Sequence, residues 1–150
     1  MKVTNEVTID ADRKTVWRVF DNPDNLSKWQ PTLRSFTHRS GTPGQPGAVS
    51  EVVYDENGRD VVMTETMTER REPDFMAGSY DSSWSKAIIV NHFETIGDNQ
   101  TRWAIYANHQ FKGIFKVLGL FFRKSIVGRT EEWMQRFKLL VESKVAEESQ

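Results

Sequence analysis

The chain has 150 residues, of which 37% are hydrophobic and 27% are charged, and its net charge at pH 7 is −1. This length and composition predict one globular domain over residues 1–150, with a core of ordinary size. The near-neutral charge argues against nucleic acid as the main partner. The absence of cysteine excludes disulfides, thiolate catalysis and a cysteine-ligated metal.

The N-terminal residues have no apolar signal core and lead directly into a strand pattern. The most apolar run, Ile114–Phe122, is interrupted by Lys116 and is far shorter than a membrane span. We therefore expect a cytoplasmic protein without stable membrane insertion. The sequence does not indicate an oligomeric state.

The first third of the chain predicts a strand followed by two short helices. Apolar and polar residues alternate over residues 3–9, as in a half-buried strand. Asp12 is a suitable N-cap for a helix over Arg13–Phe20. Pro23 fits the first turn of a second short helix, which runs towards Trp29.

Turn signals then recur at the spacing that is typical of strands. Asn57-Gly58 is a strong hairpin signal, and Gly97-Asp98-Asn99 predicts the last hairpin turn. The predicted strands are Leu33–Arg39, Val49–Tyr54, Asp60–Arg70, Phe75–Tyr80, Trp84–Ile96 and Thr101–Gln110. Because tight turns join consecutive strands, we expect a seven-stranded antiparallel sheet.

The C-terminal residues predict one long helix. From Phe122 onward, apolar residues recur at steps of three and four, which places them along one stripe of a helix. They are Phe122, Ile126, Trp133, Phe137, Leu140 and Val141. A stripe of this length needs a broad partner, and a curved sheet is the natural one. The predicted fold class is therefore α+β, with the helices on one side of the sheet.

Several motifs resemble those of the START-like superfamily, which includes the polyketide cyclase/dehydrase and lipid-transport proteins and the birch-pollen-allergen-like proteins. The matching features are Val16-Trp17 in the first short helix, the Asp-x-Pro punctuation at Asp21-Asn22-Pro23, and Trp29 ahead of Pro31. Glu72-Pro73 is similar to the family's Glu-Pro-Pro turn, with Asp74 in place of the second proline.

This resemblance implies a helix-grip fold, in which the sheet wraps around the C-terminal helix and leaves a cavity between them. Members of the superfamily bind lipids, sterols, plant hormones or quinones, cyclise polyketides, or assist chaperones. The resemblance therefore implies a hydrophobic small molecule as the partner, such as a lipid, a polyketide or an isoprenoid-like compound. Fold alone does not choose among these functions.

Four polar residues are predicted on otherwise apolar strand faces that point towards the helix: Glu51, Glu65, Asn91 and His109. Glu65 is the leading candidate, because a carboxylate on an apolar face has a raised pKa and can act as a general acid or base. The alternative is that Glu65 faces solvent or pairs with an arginine such as Arg59 or Arg102. The remaining residues predicted to line a ligand site are Met63, Met67, Phe93, Trp103, Ile105, Ile126, Trp133 and Phe137.

No cofactor is predicted. The three histidines lie in three different strands without ligand spacing, so a metal site is not expected. The glycine-containing loop Gly41–Gly47 contains two prolines and precedes no helix, so it does not fit a phosphate-binding loop.

Two apolar groups have alternative interpretations. Phe93, Trp103, Trp133 and Phe137 either line a cavity or fill it as core. The segment Phe111–Lys124 is apolar with a basic fringe, which suits a pocket gate or a transient membrane contact. We favour a third interpretation for this segment, in which it is the first half of the long helix and is buried against the short helices.

Three functions follow in order of preference. The first is binding of a hydrophobic small molecule. The second is a cyclase- or dehydratase-type enzyme that uses Glu65 with Glu51 or His109 as acid and base. The third is an interaction or chaperone-assisting module, which a filled cavity and a large exposed apolar patch would favour.

Overall fold

The computed structural model describes all 150 residues. The chain forms seven strands and four helices; the strands, the first two helices and the long C-terminal helix follow the predicted order, and one further short helix precedes the long one. They are β1 (Lys2–Ile9), α1 (Arg13–Phe20), α2 (Leu26–Trp29), β2 (Leu33–Ser40), β3 (Val49–Glu56), β4 (Arg59–Arg71), β5 (Phe75–Asp81), β6 (Ser85–Gly97), β7 (Gln100–Phe111), α3 (Phe115–Leu118) and α4 (Arg123–Glu148). Two short 3₁₀ turns, Pro23–Asn25 and Gly119–Phe122, precede α2 and α4.

The strands form one curved antiparallel sheet in the order β1-β7-β6-β5-β4-β3-β2. Every neighbouring pair except β1–β7 is consecutive in the chain, because short turns join β2 to β7 in series. The first strand closes the arrangement by pairing with the last. The predicted α+β helix-grip fold is confirmed.

Local chemistry explains the ends of these elements. The Asp12 carboxylate accepts a hydrogen bond from the backbone N–H of Thr15, which caps α1 at its start. At the β3–β4 turn, Asn57 and Gly58 both have positive φ, at 55° and 85°. A two-residue hairpin turn with this twist matches the twist of its strands, so the Asn-Gly pair fixes the β3–β4 register.

Aromatic rings fill one end of the space between the sheet and α4. We call this cluster the aromatic core; its members are Trp17, Phe20, Trp29, Phe93, Trp103 and Phe137. Phe20 lies within 6.1 Å, between ring centroids, of four of the others. The short helices α1 and α2 are therefore pinned to the sheet and to α4 by the same group of side chains.

Helix α4 is held mainly against β1 and α2. Its Met134, Phe137 and Val141 are buried, as the predicted stripe requires. Further towards its start, the Arg129 guanidinium pairs with the Glu56 carboxylate at the end of β3. The helix thus bridges the sheet from the β1 side to the β3–β4 hairpin.

The favoured interpretation of Phe111–Lys124 is wrong about burial. The helical backbone begins at Phe115, after Gly113 with a φ of +57°, and continues through Gly119–Phe122 into α4. Ile114, Val117, Leu118, Leu120, Phe121 and Phe122 are all exposed rather than buried against the short helices. None of the helices is both long enough and apolar enough to span a bilayer.

Candidate functional site

The strand register defines which side chains face α4. Residues directly opposite each other on antiparallel strands point to the same side of a sheet. Phe93 and Trp103 lie opposite each other and both belong to the aromatic core, so their partners at even spacing along each strand share that side. We call this side the inner face.

The inner face changes character along the strands. Next to the aromatic core lies a group formed by Met76, Asn91, Ile105 and Asn5, and beyond it a group formed by Met67, Gly78, Ile89, Ala107 and Val3. Met67, Ile89, Ile105 and Ala107 remain partly accessible to solvent although they face α4. The helix therefore does not cover this part of the sheet completely.

The next group along is polar and crosses five strands. We call it the polar row; it consists of Ser50, Glu65, Tyr80, Ala87 and His109, each directly opposite the next across the sheet. This row lies beyond the partly accessible apolar groups, on the side of them that is remote from the aromatic core. It brings a carboxylate, a phenol and an imidazole onto one surface.

Glu65 and Tyr80 act as a pair within the polar row. Burial raises the pKa of the Glu65 carboxyl above its ordinary value, and the hydrogen bond from the Tyr80 hydroxyl partly opposes that shift. Burial, and then the Glu65 charge, raise the pKa of Tyr80 far above its ordinary value. The phenol therefore keeps its proton and donates a hydrogen bond to Glu65. No salt bridge involves Glu65, so neither Arg59 nor Arg102 neutralises it; Arg102 pairs with Glu94 instead.

Such a pair can serve a ligand in two ways. A carboxyl group with a raised pKa can exchange a proton with a ligand, or it can hold a ligand hydroxyl through a strong hydrogen bond. Tyr80 supplies a fixed donor beside it. Glu65 lies on the inner face, as predicted. Its chemical role stays a prediction.

Tyr54 forms the side of the site next to α4. Its ring stacks on Trp133 with centroids 5.5 Å apart, and its hydroxyl donates a hydrogen bond of 2.9 Å to Gln30. Arg129, which pairs with Glu56, also lies over the Trp133 ring. This group of contacts closes the gap between the β3–β4 hairpin and the helix.

His109 lies at the opposite end of the polar row. Burial, and then the nearby N-terminal ammonium, lower the pKa of its imidazole, and its Nδ1 is buried without a hydrogen-bond partner. Three strand spacings of about 4.8 Å separate His109 from Glu65, or roughly 14 Å between backbones. The two side chains are too far apart for direct proton transfer and would meet different parts of a ligand.

Glu51 lies elsewhere, and the predicted inward phase of β3 is wrong. Ser50, Val52 and Tyr54 face inward, because Ser50 is opposite Glu65 and Val52 is opposite Met63. Glu51 points to the outer face, where its carboxylate is 3.1 Å from Arg39. The alternation of β3 fits both phases about equally well, and a one-residue slip exchanges the faces.

The predicted ligand-lining residues divide into two groups. Met63, Met67 and Ile105 on the sheet, and Ile126 and Trp133 on α4, are partly accessible around the inner face. Phe93, Trp103 and Phe137 are wholly buried in the aromatic core, so the filling interpretation describes them. Asn91 is also buried, and its side-chain oxygen accepts a 3.0 Å hydrogen bond from Trp103 Nε1.

Sequence reasoning missed Ser50, Tyr54 and Tyr80. The first two were missed with the phase of β3, because Ala48, Val52 and Tyr54 alternate nearly as well as Val49, Glu51 and Val53. Tyr80 lies on a short strand whose phase follows from its pairing with β4, and this pairing contains a bulge between Met67 and Glu69. The signal that would find Tyr80 is therefore the register rather than the pattern.

Two surface clefts lie away from this site. One, of about 270 Å³, lies between α1 and the end of α4, and the other, of about 780 Å³, lies beside α1 and Pro73. Both are open and lined mostly by polar side chains. No three His, Asp or Glu side chains are grouped so that they would hold a metal ion.

Comparison with solved structures shows the same fold in several proteins. A START superfamily protein from Mycobacterium smegmatis has a TM-score of 0.80 at 14% identity, over 95% of this chain and 97% of the other. A protein from Thermus thermophilus has a TM-score of 0.79 at 16% identity, over 96% and 99%. An aromatase/cyclase from a Streptomyces species has a TM-score of 0.71 at 12% identity, over 91% and 93%.

At these identities the likeness concerns the fold. No curated protein sequence matches the chain at a significant level. The sequence model of one family, however, matches residues 1–142, which is nearly the whole chain. The chain belongs to the polyketide cyclase / dehydrase and lipid transport family.

Proposed function

We propose that this protein binds a hydrophobic small molecule, such as a lipid, a polyketide or an isoprenoid-like compound, between the inner face and α4. The observation that carries the proposal is the partial solvent access of apolar inner-face residues, among them Ile89, Ile105 and Ala107. Apolar side chains that face a helix and still contact solvent indicate space that protein atoms do not fill. An apolar space with few polar groups is typical of a ligand site.

The polar row gives such a ligand an orientation. A molecule in this space would place its apolar part against Met67 and Ile89 and a hydroxyl or carbonyl group near Glu65 and Tyr80. The aromatic core blocks the other end, so the ligand's length is limited there. Family membership and the fold shared with a START superfamily protein support this assignment.

The experiment compares two tryptophan substitutions on neighbouring residues of β7. Ala107→Trp adds a large side chain to the inner face, and Asn108→Trp adds the same side chain to the exposed outer face. Native mass spectrometry of the isolated protein identifies a co-purifying molecule, and displacement of a fluorescent apolar dye measures affinity. We expect Ala107→Trp to weaken dye binding about tenfold or more, because filling the space excludes the ligand. Asn108→Trp should bind like the wild type.

Absence of any co-purified molecule together with absence of dye binding would contradict the proposal. Equal dye affinity in both variants would also contradict it, since the bound dye would then lie outside the inner face.

Acid–base catalysis is a second candidate, favoured by one observation. The buried Glu65 carboxyl, with a raised pKa and the Tyr80 hydroxyl beside it, is an arrangement that suits a general acid or base. In this case Glu65→Gln would bind the ligand but lose turnover, while Glu51→Gln on the outer face would keep it. Retained turnover in Glu65→Gln would exclude Glu65 as the acid or base, and absence of turnover in the wild type would leave binding as the function.

A further inference from the structure

The segment between β7 and α4 carries an exposed apolar surface. Ile114, Val117, Leu120 and Phe121 have exposed fractions between 71% and 80%. We call these four residues the apolar ridge. They lie within one short helical stretch, from Ile114 directly before α3 to Phe121 in the 3₁₀ turn after it, so their exposed side chains are close together on the surface. A large contiguous apolar patch on a protein surface marks an interaction site.

The inward side of the segment that carries the apolar ridge packs against aromatic side chains of the sheet region. Gly119 is buried against the ring of Phe111, so closely that a Cβ at this position would lie 2.3 Å from the ring. Phe115 packs edge-on against Trp84, which itself stacks on Phe111. Two aromatic contacts thus hold the inward side of the segment, and the ridge residues are left pointing outward.

Every charged residue from 112 to 124 is basic. They are Lys112, Lys116, Arg123 and Lys124. Lys112 pairs with Asp81, whereas the other three take part in no salt bridge. The chain as a whole has a net charge of −1, so this concentration of positive charge is local. A second copy of the chain would bring the same positive charges against it, which disfavours self-association through the ridge.

We propose that the apolar ridge docks on the surface of an anionic lipid bilayer. Apolar side chains at the centre of the patch would enter the boundary between headgroups and acyl chains, and the lysines around them would meet anionic headgroups. The partner is a lipid surface because its negative charge complements the basic fringe and its interior accepts the aromatic and aliphatic side chains together.

The position of the ridge gives this docking a use. The Arg123 guanidinium donates a hydrogen bond to the Lys2 carbonyl, and Phe111 stacks on His109 of the polar row. The ridge therefore lies beside the end of the inner face where α4 begins. This use rests on the proposed ligand site: a hydrophobic molecule would pass between the bilayer and that site with little exposure to water.

Vesicle flotation tests the docking without any reference to the ligand. The protein is mixed with vesicles of phosphatidylcholine and phosphatidylserine, or of phosphatidylcholine alone, at low and high salt. We expect binding to the anionic vesicles that falls as salt rises, because the electrostatic part is screened. We expect the double substitution Leu120→Ser, Phe121→Ser to reduce partitioning about tenfold or more, since two apolar side chains no longer enter the bilayer.

Two further variants separate the ridge from general effects. The double substitution Lys116→Gln, Lys124→Gln should reduce partitioning onto anionic vesicles about tenfold and should not change partitioning onto neutral vesicles. Ile88→Ser removes an apolar side chain that is 52% exposed on the outer face of the sheet, and it should bind like the wild type. Melting curves confirm that each variant is folded, which is expected because all five side chains are exposed.

Several results would overturn the proposal. They are absence of wild-type binding to the anionic vesicles, equal binding to neutral ones, or undiminished binding of the ridge variant. A dimer that the ridge substitutions dissociate, without vesicle binding, would assign the ridge to self-association instead. The failure of this proposal leaves dye binding at the inner face unaffected, so the two proposals are tested separately.

Discussion

The position of Phe137 allows a stability experiment that tests whether α4 is gripped. Phe137 is fully buried and its ring lies 4.8 Å from Trp103, 5.3 Å from Trp29 and 5.9 Å from Phe20, between centroids. Leu139, two residues further along the same helix, is 67% exposed. Alanine substitutions at these two positions remove apolar side chains from opposite environments within one element.

The expected difference is large. Replacing a buried phenylalanine by alanine costs about 3–5 kcal/mol, since it removes apolar contacts and leaves a cavity. The better helix propensity of alanine returns about 0.5 kcal/mol. Phe137→Ala should therefore lower the free energy of unfolding by about 2.5–4.5 kcal/mol. For a domain of this length, each kcal/mol lowers the melting temperature by roughly 2–4 °C. Leu139→Ala should change the free energy by no more than about 0.5 kcal/mol.

Urea denaturation followed by tryptophan fluorescence and by circular dichroism measures both values. Coincident transitions show that unfolding is two-state, and an unchanged slope shows that the comparison is valid. A loss below about 1 kcal/mol for Phe137→Ala, or losses of similar size in the two variants, would refute the reasoning. The helix would then not be held by the aromatic core, and the site between helix and sheet would lose its support.

Three further predictions concern the site. Because folding raises the pKa of Glu65, the contribution of this group to folding stability is fully present below the ordinary carboxyl pKa of 4.5 and is lost as the pH rises through the folded pKa. Urea midpoints measured across pH should show this loss in the wild type. A loss of equal size in Glu65→Gln would contradict the assignment. Asn91→Leu leaves the buried Trp103 N–H without an acceptor and should cost about 1–3 kcal/mol, and the cost should shrink in a Trp103→Phe background. Arg129→Ala removes the partly exposed ion pair with Glu56 and should lower the free energy of unfolding by no more than about 1 kcal/mol. The same substitution should speed dye uptake in stopped-flow measurements. An unchanged rate would show that this side of the site does not open.

The order of elements could be read from the sequence because turn residues mark it clearly. Asn57-Gly58 and the prolines after α1 and α2 act locally, so their effect does not depend on the rest of the fold. The position of Glu65 also followed from the pattern, because Met63 and Met67 on either side of it leave only one apolar face on β4. Such signals need no knowledge of neighbouring strands.

The errors arose where the deciding interaction is distant in the chain. The phase of β3 depends on the pairing of Ser50 with Glu65, and Tyr80 is found only through the same register. The apolar residues of 114–122 have the composition of a buried segment, yet only Gly119 packs closely on Phe111 and most of the apolar side chains are exposed. Neither contact has a local signature, so pattern alone could not supply them.

The open edges of the sheet have a mechanical consequence. Since β1 and β2 are the two ends of the strand order and share no hydrogen bonds, the sheet is an incomplete ring whose diameter is not locked by a closed ladder. A small rotation between adjacent strands can widen or narrow the opening without breaking a backbone pair. At the end remote from the aromatic core, α4 limits this change in width, because it packs against β1 on one side and pairs with Glu56 of the β3–β4 hairpin on the other. A sheet of this kind can accommodate ligands of different width through a shift of α4, without any change in the strand pairing.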